Sequence, residues 1–113
     1  MGEKSYAFAL KEISVYGYLS SEKREFVLSR QLLRSGTAVG ALIREAEHAQ
    51  SKRDFLNKMN IALKEANETL YWLQLLRDSE FISSPAFNEL FPLSEELTRL
   101  LASIVKSTKN SLS

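Results

Sequence analysis

The chain has 113 residues and a formal net charge of +1, which suits a single domain and gives no overall basic bias of the kind that marks many nucleic-acid-binding proteins. It contains no cysteine, so disulfide frameworks and thiolate metal sites are excluded. No apolar stretch approaches the roughly 18 residues of a membrane span, and the N-terminal segment lacks the pattern of a signal peptide. We therefore expect one cytoplasmic domain over residues 1–113 that does not enter a membrane.

Helix one is predicted over residues 5–19, with Ser5 as its cap. Its apolar residues fall on two sides of the helix. One side is formed by Tyr6, Ala9, Leu10, Ile13, Tyr16 and Gly17, and the other by Phe8, Val15 and Leu19. Two apolar sides on one short helix indicate partners on both. Because glycine costs about 1 kcal/mol inside a helix, we expect a close-packed neighbour at Gly17.

Helix two is predicted over residues 25–49. Its inner face consists of residues at helical spacing: Leu28, Leu32, Ser35, Val39, Leu42, Ile43 and Ala46. The glycines of Gly36-x-x-x-Gly40 indicate tight packing inside the bundle. The outer side mixes apolar and basic residues, among them Phe26 and Leu33, which is unusual for the surface of a monomer.

Helix three is predicted over residues 51–78, beginning at Ser51 with Asp54 as a second capping residue. Its core face is formed by Phe55, Met59, Ala62, Ala66, Thr69, Leu73 and Leu76. A second line places Glu65 and Glu68 between Ile61 and Trp72. Ionised acids need partners in such a position, so we expect this line to form either a subunit interface or a buried polar network with Arg34.

Helix four is predicted over residues 85–109, with Ser84 as the cap before Pro85. Pro92 lies inside it and either kinks the helix or separates a first turn from a longer helix. The core stripe contains Leu90, Leu93, Leu97, Leu101 and Ile104. Four helices joined by short links predict an all-α fold, an antiparallel up-and-down four-helix bundle.

The candidate chemical sites are weak. Glu45-x-x-His48 is typical of di-metal bundles, but those need a second such pair and the chain has one histidine, so we expect no metal and no cofactor. Glu65 and Glu68 have no accompanying nucleophile or phosphate loop, so we expect no catalytic residue and no enzyme. Five basic residues could contact phosphates if copies of the chain repeat them around a ring: Arg24, Arg30, Arg44, Lys52 and Arg53.

Three segments carry a family resemblance: SYAFAL (5–10), EFVLSRQLLRSGTAVGALIREA (25–46) and DFLNKMNIALKEANETLYWLQLL (54–76). They resemble the four-helix bundle proteins encoded within 23S rRNA intervening sequences, also called the S23 ribosomal protein family. The resemblance implies a homopentameric ring and a relationship to the accessory protein of diversity-generating retroelements, a pentamer that binds nucleic acid and a reverse transcriptase. Leu42 and Arg44 depart from the family pattern, which usually has asparagine and a small residue there.

Together these observations predict a non-enzymatic oligomeric scaffold that binds RNA or DNA. The alternative is an adaptor whose ring engages a partner enzyme without nucleic acid. The candidate subunit interface contains apolar residues from three helices and the two acids of helix three: Phe8, Phe26, Leu33, Ile61, Glu65, Glu68 and Trp72.

Overall fold

Four α-helices make up the protein in the computed structural model, which describes residues 1–112 and has no strand among them. They are α1 (Gly2–Ser21), α2 (Val27–Glu47), α3 (Lys52–Asp78) and α4 (Ser84–Leu112). The fold class is the one that the helical periodicity predicts. The molecule measures 48 × 21 × 20 Å, with the helices along the long axis.

Contacts between helices show that the bundle is antiparallel throughout. Lys4 and Lys11 of α1 bind Glu96 and Glu89 of α4, so residue numbers rise along α1 as they fall along α4. The same inverse order relates α2 to α3, where Arg34 binds Glu65 and Glu68 while Lys58 binds Glu45. Each helix packs against the two beside it, and α1 lies diagonally across the bundle from α3.

The core is divided into two clusters along the long axis. The cluster nearer the α1–α2 link uses all four helices and contains the aromatic residues Phe8 and Phe87. The other cluster consists of buried residues from α2, α3 and α4 only: Val39, Ile43, Ala46, Met59, Ala62, Ala66, Leu101 and Val105. The first half of α1 therefore covers one end of the bundle without contributing a large buried apolar side chain there, apart from the partial packing of Met1.

The predicted cap is found at the start of α3, and the start of α2 has a cap that the sequence analysis did not predict. Ser51 caps α3 by accepting a hydrogen bond from the Asp54 amide at 3.0 Å. At α2, the carboxylate of Glu25 accepts from the amides of residues 27–29, so this helix begins at Val27 and not at residue 25. An acid suits this position because it satisfies unpaired N–H groups and favours the positive end of the helix dipole.

Two predicted caps are wrong. The cap of α4 is Ser83, whose Oγ accepts from the Ala86 amide at 3.3 Å, so Ser84 is already helical. Ser5 lies inside α1, is buried, and donates to the Gly2 carbonyl at 3.0 Å. Pro92 is accommodated within one continuous α4, so no separate first turn is formed.

Candidate functional site

The helix α1 buries polar residues and exposes large apolar ones. Its buried residues are Ser5, Phe8, Glu12 and Leu19, two of which are polar. Meanwhile Tyr6, Leu10 and Ile13 are 58%, 53% and 52% exposed. We call these three residues the α1 apolar face, since their spacing places them on one side of the helix.

Two expectations about α1 are corrected by this arrangement. Phe8 is 2% exposed and packs in the core of its own subunit, so it is not available as a subunit contact. Gly17 has no close-packed neighbour, because a Cβ built there would meet nothing within 4 Å. The hydrophobic pattern had allowed either side of α1 to face inward, and packing selects the side with Phe8 and Leu19.

Open hollows flank the α1 apolar face on both sides. One of about 380 Å³ lies between α1 and α2 and is lined by Ser5, Tyr6, Thr37 and Arg44, among others. Another of about 330 Å³ lies between α1 and α4 beside Leu10 and Glu89. At the surface, the α1–α4 side is bridged by the ion pairs of Lys4 and Lys11, whereas its apolar packing lies deeper, where Phe8 and Phe87 share one core cluster.

Glu12 is the residue that the sequence patterns missed. Its side chain is 0% exposed, and neither carboxylate oxygen has a hydrogen-bond partner within the described residues. Burial raises its pKa from 4.5 to about 9, so the carboxyl group is protonated at neutral pH. No charged side chain contributes to this shift.

Gly36 provides the space that the Glu12 carboxyl group occupies. A Cβ at Gly36 would lie 1.6 Å from Glu12 Oε2 and 2.0 Å from Oε1, so no side chain fits unless the carboxyl group moves. The predicted tight packing at Gly36 is therefore found, with a polar side chain as the neighbour. At Gly40, one turn on, an added Cβ would meet Ser5 Oγ at an ordinary distance of 3.5 Å.

The acids of α3 form a polar network across the α2–α3 contact. Arg34 donates to Glu65 at 3.0 Å and also to Glu68, and the Glu68 carboxylate accepts from Trp72 Nε1 at 3.1 Å. Desolvation by itself lowers the pKa of Arg34. The charges and hydrogen bonds of Glu65 and Glu68 together outweigh this effect, so the pKa is raised overall. The sequence analysis predicted either a subunit interface or a polar network with Arg34, and a network within one subunit is found. It is only partly buried, and Ile61 beside it remains exposed.

The five predicted basic contacts are all exposed but do not form one cluster. Arg30 and Arg44 lie about 21 Å apart along α2, given 1.5 Å per residue. Arg24 and Arg30 lie at the end with the α1–α2 link, whereas Arg44, Lys52 and Arg53 lie at the end with the α2–α3 link. Among the predicted interface residues, Phe26 is exposed and Leu33 and Trp72 are half-buried.

Charge is segregated along α3 and α4. Residues 52–64 and 97–112 contain seven Lys or Arg and one acid, whereas residues 65–96 contain seven acids and one Arg. Because α3 and α4 are antiparallel, the two basic segments meet at the end with the α2–α3 link, which we call the basic end. The net charge of +1 conceals this separation.

The residues of the Glu45-x-x-His48 motif and the two acids Glu65 and Glu68 are dispersed over the surface. Glu45 binds Lys58, while Glu65 and Glu68 bind Arg34 on a different part of the surface. His48 is exposed at the end of α2. Within residues 1–112 no group of three or more His, Cys, Asp or Glu side chains is placed to hold a metal ion.

Among the helices described over residues 1–112, none has the length and apolar character needed to cross a membrane.

Comparison with known proteins places this bundle in a family. A model of the 23S rRNA-intervening sequence proteins matches residues 1–103. The chain belongs to this family. A similar structure is the 1.70 Å crystal structure of a protein of unknown function from the S23 ribosomal protein family of Bacteroides thetaiotaomicron VPI-5482. The two are 52% identical with a TM-score of 0.91, over 93% of this chain and 97% of the other. No curated protein matches the chain.

The family assignment agrees with the resemblance of the α2 and α3 segments. Within the 23S rRNA-intervening sequence family, this chain combines an apolar outer face on α1 with a basic end built from α3 and α4.

Proposed function

We propose that this protein assembles with copies of itself into a non-enzymatic scaffold that binds nucleic acid. The observation that carries the assembly is the α1 apolar face. Its three large side chains are each more than half exposed, although α1 buries a serine and a glutamate on its inner side. Burial of apolar surface contributes about 25 cal/mol per Å². A second subunit that covers this face would therefore stabilise α1, whose buried residues include Ser5 and Glu12.

A homopentamer is the form of assembly that the family resemblance implies, and it is part of the proposal. A ring would repeat each basic surface once per subunit, so that weak phosphate contacts act together on one long polyanion. Gly17 fits such an assembly, since the space outside it is open to a backbone from another copy.

The assembly is tested by placing charges on the α1 apolar face. Leu10→Glu with Ile13→Glu should shift the protein to a smaller species in size-exclusion chromatography with light scattering, because an ionised acid at an apolar interface is strongly unfavourable. Gln74→Glu, at an exposed position of α3, is the control and should leave the mass unchanged. A wild-type protein that is already monomeric, or equal masses for both variants, contradicts the proposal.

Nucleic-acid binding is tested by titrating a fluorescent single-stranded RNA at increasing salt. The affinity should fall steeply, with a logarithmic slope of about −0.7 for each phosphate contacted. An affinity that is absent at low salt, or that does not change with salt, rejects this part of the proposal.

An adaptor for a partner protein is the second candidate, and the hollows beside α1 favour it. They could seat side chains of another protein next to Leu10 and Val15. Under this alternative, a partner would be recovered in a fixed ratio after nuclease treatment, and Leu10→Glu with Ile13→Glu would abolish its recovery.

A further inference from the structure

The outward face of α3 has a composition distinct from that of the other helices. Six exposed residues follow one another at spacings of three or four: Arg53, Asn57, Asn60, Lys64, Asn67 and Tyr71. We call them the α3 polar stripe. It extends about 27 Å at 1.5 Å per residue and contains no acid. Its residues lie opposite the buried face of Met59, Ala66 and Leu73, so they all point away from the bundle.

The acids of α3 are turned away from this stripe. Glu65 and Glu68 point toward α2, where Arg34 neutralises them. By contrast, Arg53 and Lys64 make no salt bridge with any residue from 1 to 112. The second basic segment adds Arg99 and Lys106 on the exposed side of α4, which packs beside α3 at the same end. Arg53 and Lys64 thus carry positive charge that no salt bridge of the described residues neutralises, whereas the charge of Arg99 also interacts with Glu96.

We propose that the α3 polar stripe, with the basic segment of α4 beside it, is the site at which this protein binds single-stranded nucleic acid. This inference rests on the proposed function and names its site. Arg53 and Lys64 contact phosphates, and the three asparagine amides hydrogen-bond to phosphates, sugars or base edges. Tyr71 is exposed and supported edge-on by Trp72, with ring centroids 5.2 Å apart, so one of its faces can stack on a base.

The composition of the stripe favours nucleic acid over the other polyanionic partners. A membrane-surface helix would carry large apolar residues beside its cations, and this stripe has only Tyr71. A stable protein interface would be centred on several apolar or aromatic anchors; Tyr6, Leu10 and Ile13 form such a group on α1, whereas the stripe contains Tyr71 alone. Since α1 is diagonally opposite α3, a copy seated on the α1 apolar face does not cover the stripe of the same subunit. A ring also buries a second, different face of each subunit, and this proposal requires that face to lie outside the α3 polar stripe.

The site differs from the one that the sequence predicted. Arg53 belongs to the stripe and Lys52 lies next to its start, whereas Arg24 and Arg30 lie at the opposite end of the bundle. These two arginines therefore provide a matched control. Replacing Arg24 and Arg30 by glutamate changes the net charge as much as replacing Arg53 and Lys64 does. Any difference in affinity between the two variants therefore reports the location of the site.

The decisive experiment measures RNA affinity of the full-length protein with paired charge reversals. Arg53→Glu with Lys64→Glu should weaken binding at least about 10-fold and reduce the salt slope by about 1.4, which is two phosphate contacts. Arg24→Glu with Arg30→Glu should weaken it less than about 3-fold. If the first variant does not fold, as judged by circular dichroism, Arg53→Gln with Lys64→Gln is compared with the same glutamine pair at Arg24 and Arg30.

Substitution of Tyr71 tests base stacking separately from charge, because it leaves the charge of the site unchanged. Tyr71→Ala should weaken single-stranded RNA binding about 5- to 100-fold without changing the salt slope, whereas Tyr71→Phe should bind almost normally, because stacking needs only the ring. A single-stranded DNA of the same sequence should show the same dependence on Tyr71.

The outcomes separate the site from the function. Absence of wild-type binding overturns the proposed function and this inference with it. Wild-type binding that the Arg24 and Arg30 pair weakens as much as the stripe pair does, or more, overturns the site alone. Displacement of RNA by polyglutamate at equal charge, together with an unaffected Tyr71→Ala variant, overturns the assignment to nucleic acid and indicates an acidic protein partner.

Discussion

The carboxyl group of Glu12 is enclosed between α1 and α2 with no hydrogen-bond partner for either oxygen. A neutral carboxyl group is the form that such a site admits, since an isolated buried charge would be far more costly. Folding at neutral pH therefore requires Glu12 to take up a proton. This requirement makes the stability of the bundle fall as pH rises from about 4.5 toward 9.

The free energy of unfolding should depend on pH because Glu12 takes up a proton on folding. The unfolded group has a pKa of 4.5 and the folded group one of about 9, so the folded state holds one more proton throughout that range. Stability is then highest below the unfolded pKa and falls by about 1.4 kcal/mol per pH unit as pH rises toward 9. Asp78 and Glu96 have lowered pKa values and act only on the acid side.

Urea unfolding at about pH 6 and about pH 8.5 should give free energies of unfolding that differ by roughly 3 kcal/mol. Glu12→Met, which has similar length and no charge, should remove the difference. A wild-type protein that is equally stable at both values would show that Glu12 is not the buried neutral acid described above.

The packing of Glu12 on Gly36 predicts a reversal of sign in a double-mutant cycle. Gly36→Ala should destabilise the wild type by about 1–3 kcal/mol, because the new methyl group overlaps the Glu12 carboxyl group. In a Glu12→Ala background the same change should stabilise by up to about 1 kcal/mol, since alanine is the better helix former.

Gly40→Ala is the matched control in the same helix. Its Cβ would meet Ser5 at 3.5 Å, so the substitution should be neutral or stabilising in both backgrounds. Chemical denaturation of the five variants measures the cycle. Equal effects of Gly36→Ala with and without Glu12 would contradict the contact.

At the scale of the helix, the pair α2–α3 is joined by a polar network of ion pairs and hydrogen bonds. Arg34 bridges two acids, and Glu65 is mostly shielded from water. The Lys11–Glu89 pair between α1 and α4 is by comparison well exposed. Solvent screening weakens an exposed pair, so the two should differ in coupling energy.

Double-mutant cycles to alanine should give a coupling of about 1 kcal/mol for Arg34 with Glu65 and less than about 0.5 kcal/mol for Lys11 with Glu89. Both couplings should decrease at high salt. Thermal or urea unfolding in low and high salt provides the measurement. A stronger coupling for Lys11 with Glu89 would contradict this ranking.

Helical periodicity predicted the core faces of α2, α3 and α4 because each has one apolar stripe. Leu32, Val39, Met59, Leu73 and Leu101 are all buried as expected. In α1 the same reasoning left two sides open, and no rule based on hydrophobicity could have placed Glu12 inside. The signal that was available is Gly36, whose missing side chain marked a close approach but did not indicate which residue approaches.

The cap positions show a similar limit at shorter range. Ser51 was identified because Asp54 follows at the spacing of a capping box. At α4, Ser83 and Ser84 are chemically equivalent, and only the backbone path decides that Ser83 accepts the hydrogen bond. The basic end was also not evident along the sequence, since residues 65–96 separate its two segments, which meet only because α3 and α4 are antiparallel.

At the scale of the whole molecule, the bundle has one basic end, a polar stripe on α3 and an apolar face on α1. The apolar face and the stripe lie on diagonally opposite helices, so assembly and ligand binding need not compete. Assembly is the central claim, because it explains why α1 exposes Tyr6, Leu10 and Ile13 while it buries Glu12.

Sedimentation equilibrium of the wild-type protein at micromolar concentration tests this claim most directly. We expect a single folded species whose mass is a small multiple of 12.8 kDa, with five copies as the proposed number. Folded, soluble particles of 12.8 kDa alone would contradict the account.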